Sequence, residues 1–141
     1  MKISEIMTPE VGVLAPEATL DEAAEQMRDL DVGLLPVCDG DRLVGMITDR
    51  DITIRAVAEG MDPREIQVGS VMTPEVRYCY EDQDVEDAAK LMNELQIRRL
   101  PILNRGKRLV GIVSLGDLAT RTDDTTISGE TLEGVSEPSV R

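Results

Sequence analysis

The chain contains no histidine, phenylalanine or tryptophan. Without imidazole, a Ser-His-Asp triad and a His-ligated zinc site are excluded. Tyr78 and Tyr80 are the only rings, so stacking of bases on exposed aromatics is nearly unavailable. Cysteine is as scarce: Cys38 and Cys79 stand far apart, form no CxxC pair, and read as half-buried strand thiols that stay free. Long apolar runs are missing too, and the opening segment to Met7 carries charge, so neither a secretory leader nor a membrane span is expected and the chain reads as cytoplasmic. Positive charge is in deficit, with 15 Lys and Arg against 28 Asp and Glu, a net charge of -13 and a pI near 4.3. That is the wrong sign for nucleic acid, although a local arginine cluster can still hold a phosphate.

What is present is aliphatic and repeated. Hydrophobic residues make up 41% of the 141, enough for a core in one domain or two half-size units. Met7-Thr8-Pro9-Glu10-Val11 recurs 65 residues on as Met72-Thr73-Pro74-Glu75-Val76, and Ala23-Ala24, Met27 and Pro36 recur as Ala88-Ala89, Met92 and Pro101. Past a turn the offset becomes 66, taking Arg42-Leu43-Val44-Gly45 to Arg108-Leu109-Val110-Gly111. A one-residue change of offset belongs in a hairpin loop, where length is tolerated.

Each copy reads as βαββα. In the first, a strand over 11–15 precedes a helix from about Leu20 to Asp31, with Thr19 and Glu22 forming a capping-box pattern. Ala23, Ala24, Met27 and Leu30 make its apolar stripe. Strands 33–38 and 42–48 flank Asp39-Gly40, a hairpin signal, and a second helix starts near Asp49 and stops before Gly60. The second copy predicts strand 76–80, helix 84–95, strands 98–103 and 108–114, and a helix from Leu115. The expected architecture is α/β (α+β): two βαββα units at 1–62 and 63–122, related by a pseudo-two-fold axis, sheets together and helices outside. A tail over 123–141, rich in Ser, Thr, Glu and Gly, is expected to be mobile or to order on a partner.

Chemistry concentrates where the last strand of each copy enters a helix. Gly45-Met46-Ile47-Thr48-Asp49-Arg50-Asp51-Ile52 and Gly111-Ile112-Val113-Ser114-Leu115-Gly116-Asp117-Leu118 both fit Gly-x-x-Ser/Thr-x-x-Asp-apolar. A hydroxyl beside free helix-start amides can donate to phosphate, and the Asp can accept from ribose hydroxyls. The competing reading is plain helix capping, with Ser/Thr as N-cap and Asp favoured by the dipole.

The Met-Thr-Pro lead-ins, the Leu-Pro step in the second strand of each copy and the twin octets together resemble a tandem pair of cystathionine β-synthase (CBS) domains over roughly 3–121. The resemblance implies a non-catalytic regulatory or energy-sensing module that binds AMP, ADP, ATP or S-adenosylmethionine in clefts between its halves. The nucleotide is then a regulatory ligand, and no cofactor is expected. It assigns one cleft to Gly12, Val32, Gly33, Arg98, Arg99, Ile112, Ser114 and Asp117, and a weaker one to Met46, Thr48, Arg50, Asp51, Arg77, Ile97 and again Arg98. Arg99 stands at the family's phosphate position, and its counterpart is Leu34, with Arg50 as a substitute. Homodimerisation is implied through Leu30-Asp31-Val32 and the second helices, Ile52 to Val57 and Leu118 onward, with an unidentified regulated protein as partner. The alternative is a structural or protein-interaction module with empty clefts. An enzyme is disfavoured because Asp49 and Asp51 have no nucleophile-base pair beside them.

Overall fold

The computed structural model describes residues 1–9 and 12–121 of the chain. Its residues fall into two compact units, Gly12–Val76 and Met1–Val11 with Arg77–Arg141. The expectations for residues 10, 11 and 122–141, the tail among them, lie outside the described residues.

In the Gly12–Val76 unit, α1 (Leu20–Leu30) starts at Thr19, whose backbone N–H donates to the Glu22 carboxylate at 3.0 Å. It ends on Asp31 in the left-handed region, φ 54°. Leu20, Ala23 and Met27 are buried against the hairpin of β1 (Leu34–Asp39) and β2 (Arg42–Thr48), which turns at Gly40, φ 65°. Two expected stripe positions are corrected: Ala24 and Leu30 are exposed, Leu30 by 49%. Ala24 lies about 100° round the helix from Ala23, and Leu30 is the last residue of the helix. The expected first strand is reduced to one parallel bridge, Leu14 to Val37. The second helix begins as α2 (Asp49–Asp51) and continues as a π-helix, Ile52–Val57. The core gathers Leu14, Leu20, Ala23, Leu35, Val37, Ile47, Ala56 and Val68 among others.

The other unit repeats the plan. β3 (Cys79–Tyr80) runs parallel to β4 (Arg99–Leu103), which pairs antiparallel with β5 (Leu109–Ser114), in the order β3-β4-β5. The strand expected over 76–80 is therefore two residues long. α3 (Val85–Leu95) buries Val85, Ala88, Ala89 and Met92, and α4 (Leu115–Arg121) buries Leu118. Arg105 in the hairpin loop lies 4.1 Å over the Tyr80 ring and reaches the Asp82 carboxylate at 2.8 Å, fastening the loop to β3.

The copies superimpose position by position in their hairpins. Pro36 faces Met46 as Pro101 faces Ile112, and the β-bulges fall at Val37/Cys38 and Ile102/Leu103. The compact units nevertheless cut across the repeat. The first lead-in packs on the second copy's hairpin, with Thr8 and Ile112 exchanging backbone hydrogen bonds of 2.8 and 3.0 Å. The second lead-in does the same on the first copy's hairpin, through Thr73 and Met46. Glycine makes that approach possible: a Cβ on Gly111 would stand 2.8 Å from the Thr8 carbonyl oxygen, and one on Gly45 would stand 3.0 Å from that of Thr73.

Candidate functional site

The octets form the same local structure in both units. The backbone N–H of Ser114 donates to Asp117 Oδ2 at 2.8 Å, and the Asp117 N–H donates back to Ser114 Oγ at 3.0 Å. Thr48 and Asp51 make the identical reciprocal pair, both bonds 3.0 Å. Each Asp therefore caps its own helix, the structural role that competed with ligand binding for the same residues. Capping leaves capacity to spare, since a carboxylate has about four acceptor sites and a hydroxyl that accepts can still donate.

A third residue completes each pair, and sequence reasoning did not find it. Arg121 places Nε 3.7 Å from Asp117 Oδ1 and donates from Nη1 to the Ile6 carbonyl at 3.1 Å. Arg55 does the same with Asp51 Oδ1, at 3.7 Å, and the Val71 carbonyl, at 3.1 Å. One arginine thus joins the octet to the lead-in packed on that unit. The signal was available: Arg55 and Arg121 follow their Asp by four residues, one helical turn.

The free helix-start amides expected from the sequence are mostly taken. The Leu115 N–H donates to the Arg98 carbonyl at 2.8 Å, and the Asp49 N–H to the Gly33 carbonyl at 2.9 Å. Among the described residues, the Gly116 N–H has no hydrogen-bond partner, whereas that of Arg50 is satisfied by Asp49 Oδ1 at 2.8 Å.

Three of the residues assigned to the stronger cleft converge within the Arg77–Arg141 unit. Arg98, Arg99 and Ser114, with Leu115, Gly116 and Ala119, line an open pocket of about 430 Å³. Its lining holds two guanidinium groups, a hydroxyl and no carboxylate. Both arginines are exposed, and the Asp117 side chain, hydrogen-bonded to the pocket residue Ser114, is 13% exposed. Ile112 is buried in β5, Ile97 half-buried and Arg77 exposed in the same unit. Gly12, Val32 and Gly33 belong to the Gly12–Val76 unit. There Gly12 has a packing reason, since a Cβ would meet Leu30 Cδ1 at 2.6 Å. Val32 packs on the core of that unit, and Met46 is buried in β2.

Cys38 and Cys79 are free and buried. Burial pushes the Cys79 thiol up to about 11, with the Asp87 charge adding to it; burial, then Asp41, raises Cys38. Among the described residues no helix is long and apolar enough to cross a membrane.

The chain matches the CBS domain family model twice, over residues 3–57 and 68–123. It is 39% identical over 138 residues to the CBS domain-containing protein YhcV of Bacillus subtilis, covering 98% of this chain and 97% of that one. It is 38% identical over 124 residues to hypoxic response protein 1 of Mycobacterium tuberculosis, 87% of this chain and 86% of that one. A crystal structure of hypoxic response protein I with two coordinated zinc ions covers 86% of this chain and 99% of its own, with a TM-score of 0.80 and 37% identity. The crystal structure of CBSX2 in complex with AMP, a protein known also from Arabidopsis thaliana, covers 85% of this chain and 94% of its own, with a TM-score of 0.73 and 29% identity.

Proposed function

Because the chain belongs to the CBS domain family and carries that domain twice, we propose that it is a regulatory module whose ligand is an adenine nucleotide, with the phosphate held by Arg98, Arg99 and Ser114. The observation that carries this reading is the charge of one pocket. In a chain of net charge -13, two arginines and a serine hydroxyl line it without a carboxylate among them. Guanidinium groups match phosphate oxygens in plane and charge. The remaining lone pairs of Asp117 accept from ribose hydroxyls, and Ile112 offers an apolar contact to the base. The AMP complex of CBSX2 supports the choice of ligand class.

In this reading the chain binds and responds; it assigns no catalytic step to any residue. Homodimerisation belongs to the same proposal, supported by Ile54, Val57 and Met61, which are 49%, 58% and 42% exposed after α2.

The test is titration calorimetry with AMP on the wild type and on Arg99→Leu, which installs the residue found at the equivalent position, Leu34. One charge-assisted hydrogen bond contributes roughly 1.5–3 kcal/mol, so the affinity is expected to fall about 10- to 100-fold. An unchanged affinity removes Arg99 from the site. Failure of the wild type to bind AMP, ADP, ATP or S-adenosylmethionine favours the structural-module alternative.

A further inference from the structure

The two octets share their capping geometry, and the residues around them do not. The six that line the arginine pocket correspond, in the Gly12–Val76 unit, to Gly33, Leu34, Thr48, Asp49, Arg50 and Thr53. Gly33 and Leu34 replace the two arginines, and Asp49 replaces Leu115. Two cations and no anion at these six positions become a single cation and a single anion.

The Asp49 carboxylate is also placed. Its Oδ1 accepts the Arg50 backbone N–H at 2.8 Å, the counterpart of the Gly116 N–H that has no partner among the described residues. Its Oδ2 lies where a side chain at Gly33 would begin, 3.0 Å from the Cβ such a residue would carry. The carboxylate thus covers the position from which Arg98 projects in the other unit and takes up an amide that a phosphate would use.

We propose, as an extension of the nucleotide reading above, that the Thr48–Asp51 site takes an unphosphorylated nucleoside and rejects nucleotides, with Asp49 as the residue that determines the exclusion. The hydroxyl and carboxylate suited to a ribose are retained in Thr48 and Asp51, held by the same reciprocal hydrogen bonds. Of the six corresponding positions in this unit, only Arg50 carries a cation that distinguishes a phosphate from a hydroxymethyl, and Asp49 balances its charge. A phosphate brought against a fixed carboxylate meets like-charge repulsion, whereas a neutral nucleoside does not. The chain would then report the ratio of phosphorylated to unphosphorylated ligand through two sites of opposite preference.

Calorimetric stoichiometry with AMP and with adenosine tests this on the full chain. The wild type is expected to bind one AMP, and adenosine is expected to bind to Arg99→Leu, in which the other pocket is weakened. Leu34→Arg with Asp49→Leu, which copies the arginine pocket's lining, is expected to bind a second AMP. Asp49→Asn, nearly isosteric and safe for the fold, is expected to raise AMP affinity at this site at least 10-fold. Two AMP per wild-type chain, no adenosine bound to Arg99→Leu, or no gain of AMP in either Asp49 variant would each overturn the proposal. If the wild type binds no AMP, the nucleotide reading of the other pocket fails by itself. The Asp49 variants then decide the present inference: a gained AMP site sustains it and no gain overturns it.

Discussion

The Thr48 and Ser114 octets differ in almost nothing that builds the backbone and in almost everything that could meet a ligand. Both have the reciprocal Ser/Thr–Asp hydrogen bonds, the Asp–Arg contact at 3.7 Å and the arginine-to-carbonyl bond at 3.1 Å. They part at Gly33 against Arg98, Leu34 against Arg99 and Asp49 against Leu115. The residues repeated in both copies are therefore those that cap helices and seat lead-ins. In the proposed reading, discrimination among ligands rests on positions where the copies differ. A motif found twice in one chain is evidence for a shared fold first and a shared ligand second.

The largest effect on this comparison should come from the strand glycines. Gly111→Ala pushes a methyl toward the Thr8 carbonyl at 2.8 Å, and Gly45→Ala toward that of Thr73 at 3.0 Å. Overpacking of this kind costs about 1–3 kcal/mol. A Cβ at either position would also meet a methionine sulfur, of Met7 at Gly111 and of Met72 at Gly45, but a side chain can rotate away and a carbonyl cannot. Denaturant melts should therefore show Gly111→Ala, with the closer carbonyl, as the worse of the two. Equal small losses would mean that the lead-ins are held loosely in both units.

A smaller effect should separate capping from binding. Ser114→Ala and Thr48→Ala each remove an N-cap acceptor, at about 1 kcal/mol, and thermal unfolding should show the two as near equals. Only Ser114→Ala should also weaken AMP. A matching loss of AMP affinity in Thr48→Ala would erase the distinction between the sites.

The smallest effect concerns the thiols. Cys79 titrates at about 11 in the folded chain, above the roughly 8.5 of a free thiol. A raised folded-state value favours the protonated form. Its contribution is therefore fully present below about pH 8.5 and is lost as pH rises toward about 11. Stability measured across that window should fall less steeply in Cys79→Ala than in the wild type. An identical slope would show that the thiol is not desolvated.

Much of the fold is legible in the residues themselves. The offset of 65, becoming 66 at a turn, places every hairpin, and Asp39-Gly40 marks the tight one. Thr19 with Glu22 marks where α1 starts. Periodicity overstated the stripe of α1, because Ala24 and Leu30 have the right chemistry but stay exposed, Leu30 although it lies beside Gly12. It also overstated the first strands, which pair through one or two residues. In the candidate site, Arg98, Arg99 and Ser114 were legible from motif and resemblance. The pairing of Arg55 and Arg121 with their Asp was legible in the four-residue spacing. Their bonds to the Val71 and Ile6 carbonyls and the covering role of Asp49 were not, because these depend on atoms far in sequence or on the space above a glycine.

The amino-acid sequence by itself determined that this is a duplicated, aliphatic α/β chain with capped octets, because periodicity, turn residues and caps act between neighbours along the chain. Only the tertiary structure decided that each lead-in is seated in the compact unit of the other copy, Met7-Thr8 over Gly111 and Met72-Thr73 over Gly45. The two lead-ins are nearly identical in sequence, and so are the two glycine strands that receive them. No local preference distinguishes seating at home from exchange, and the choice falls to where the connecting chain and the buried surfaces let each segment lie.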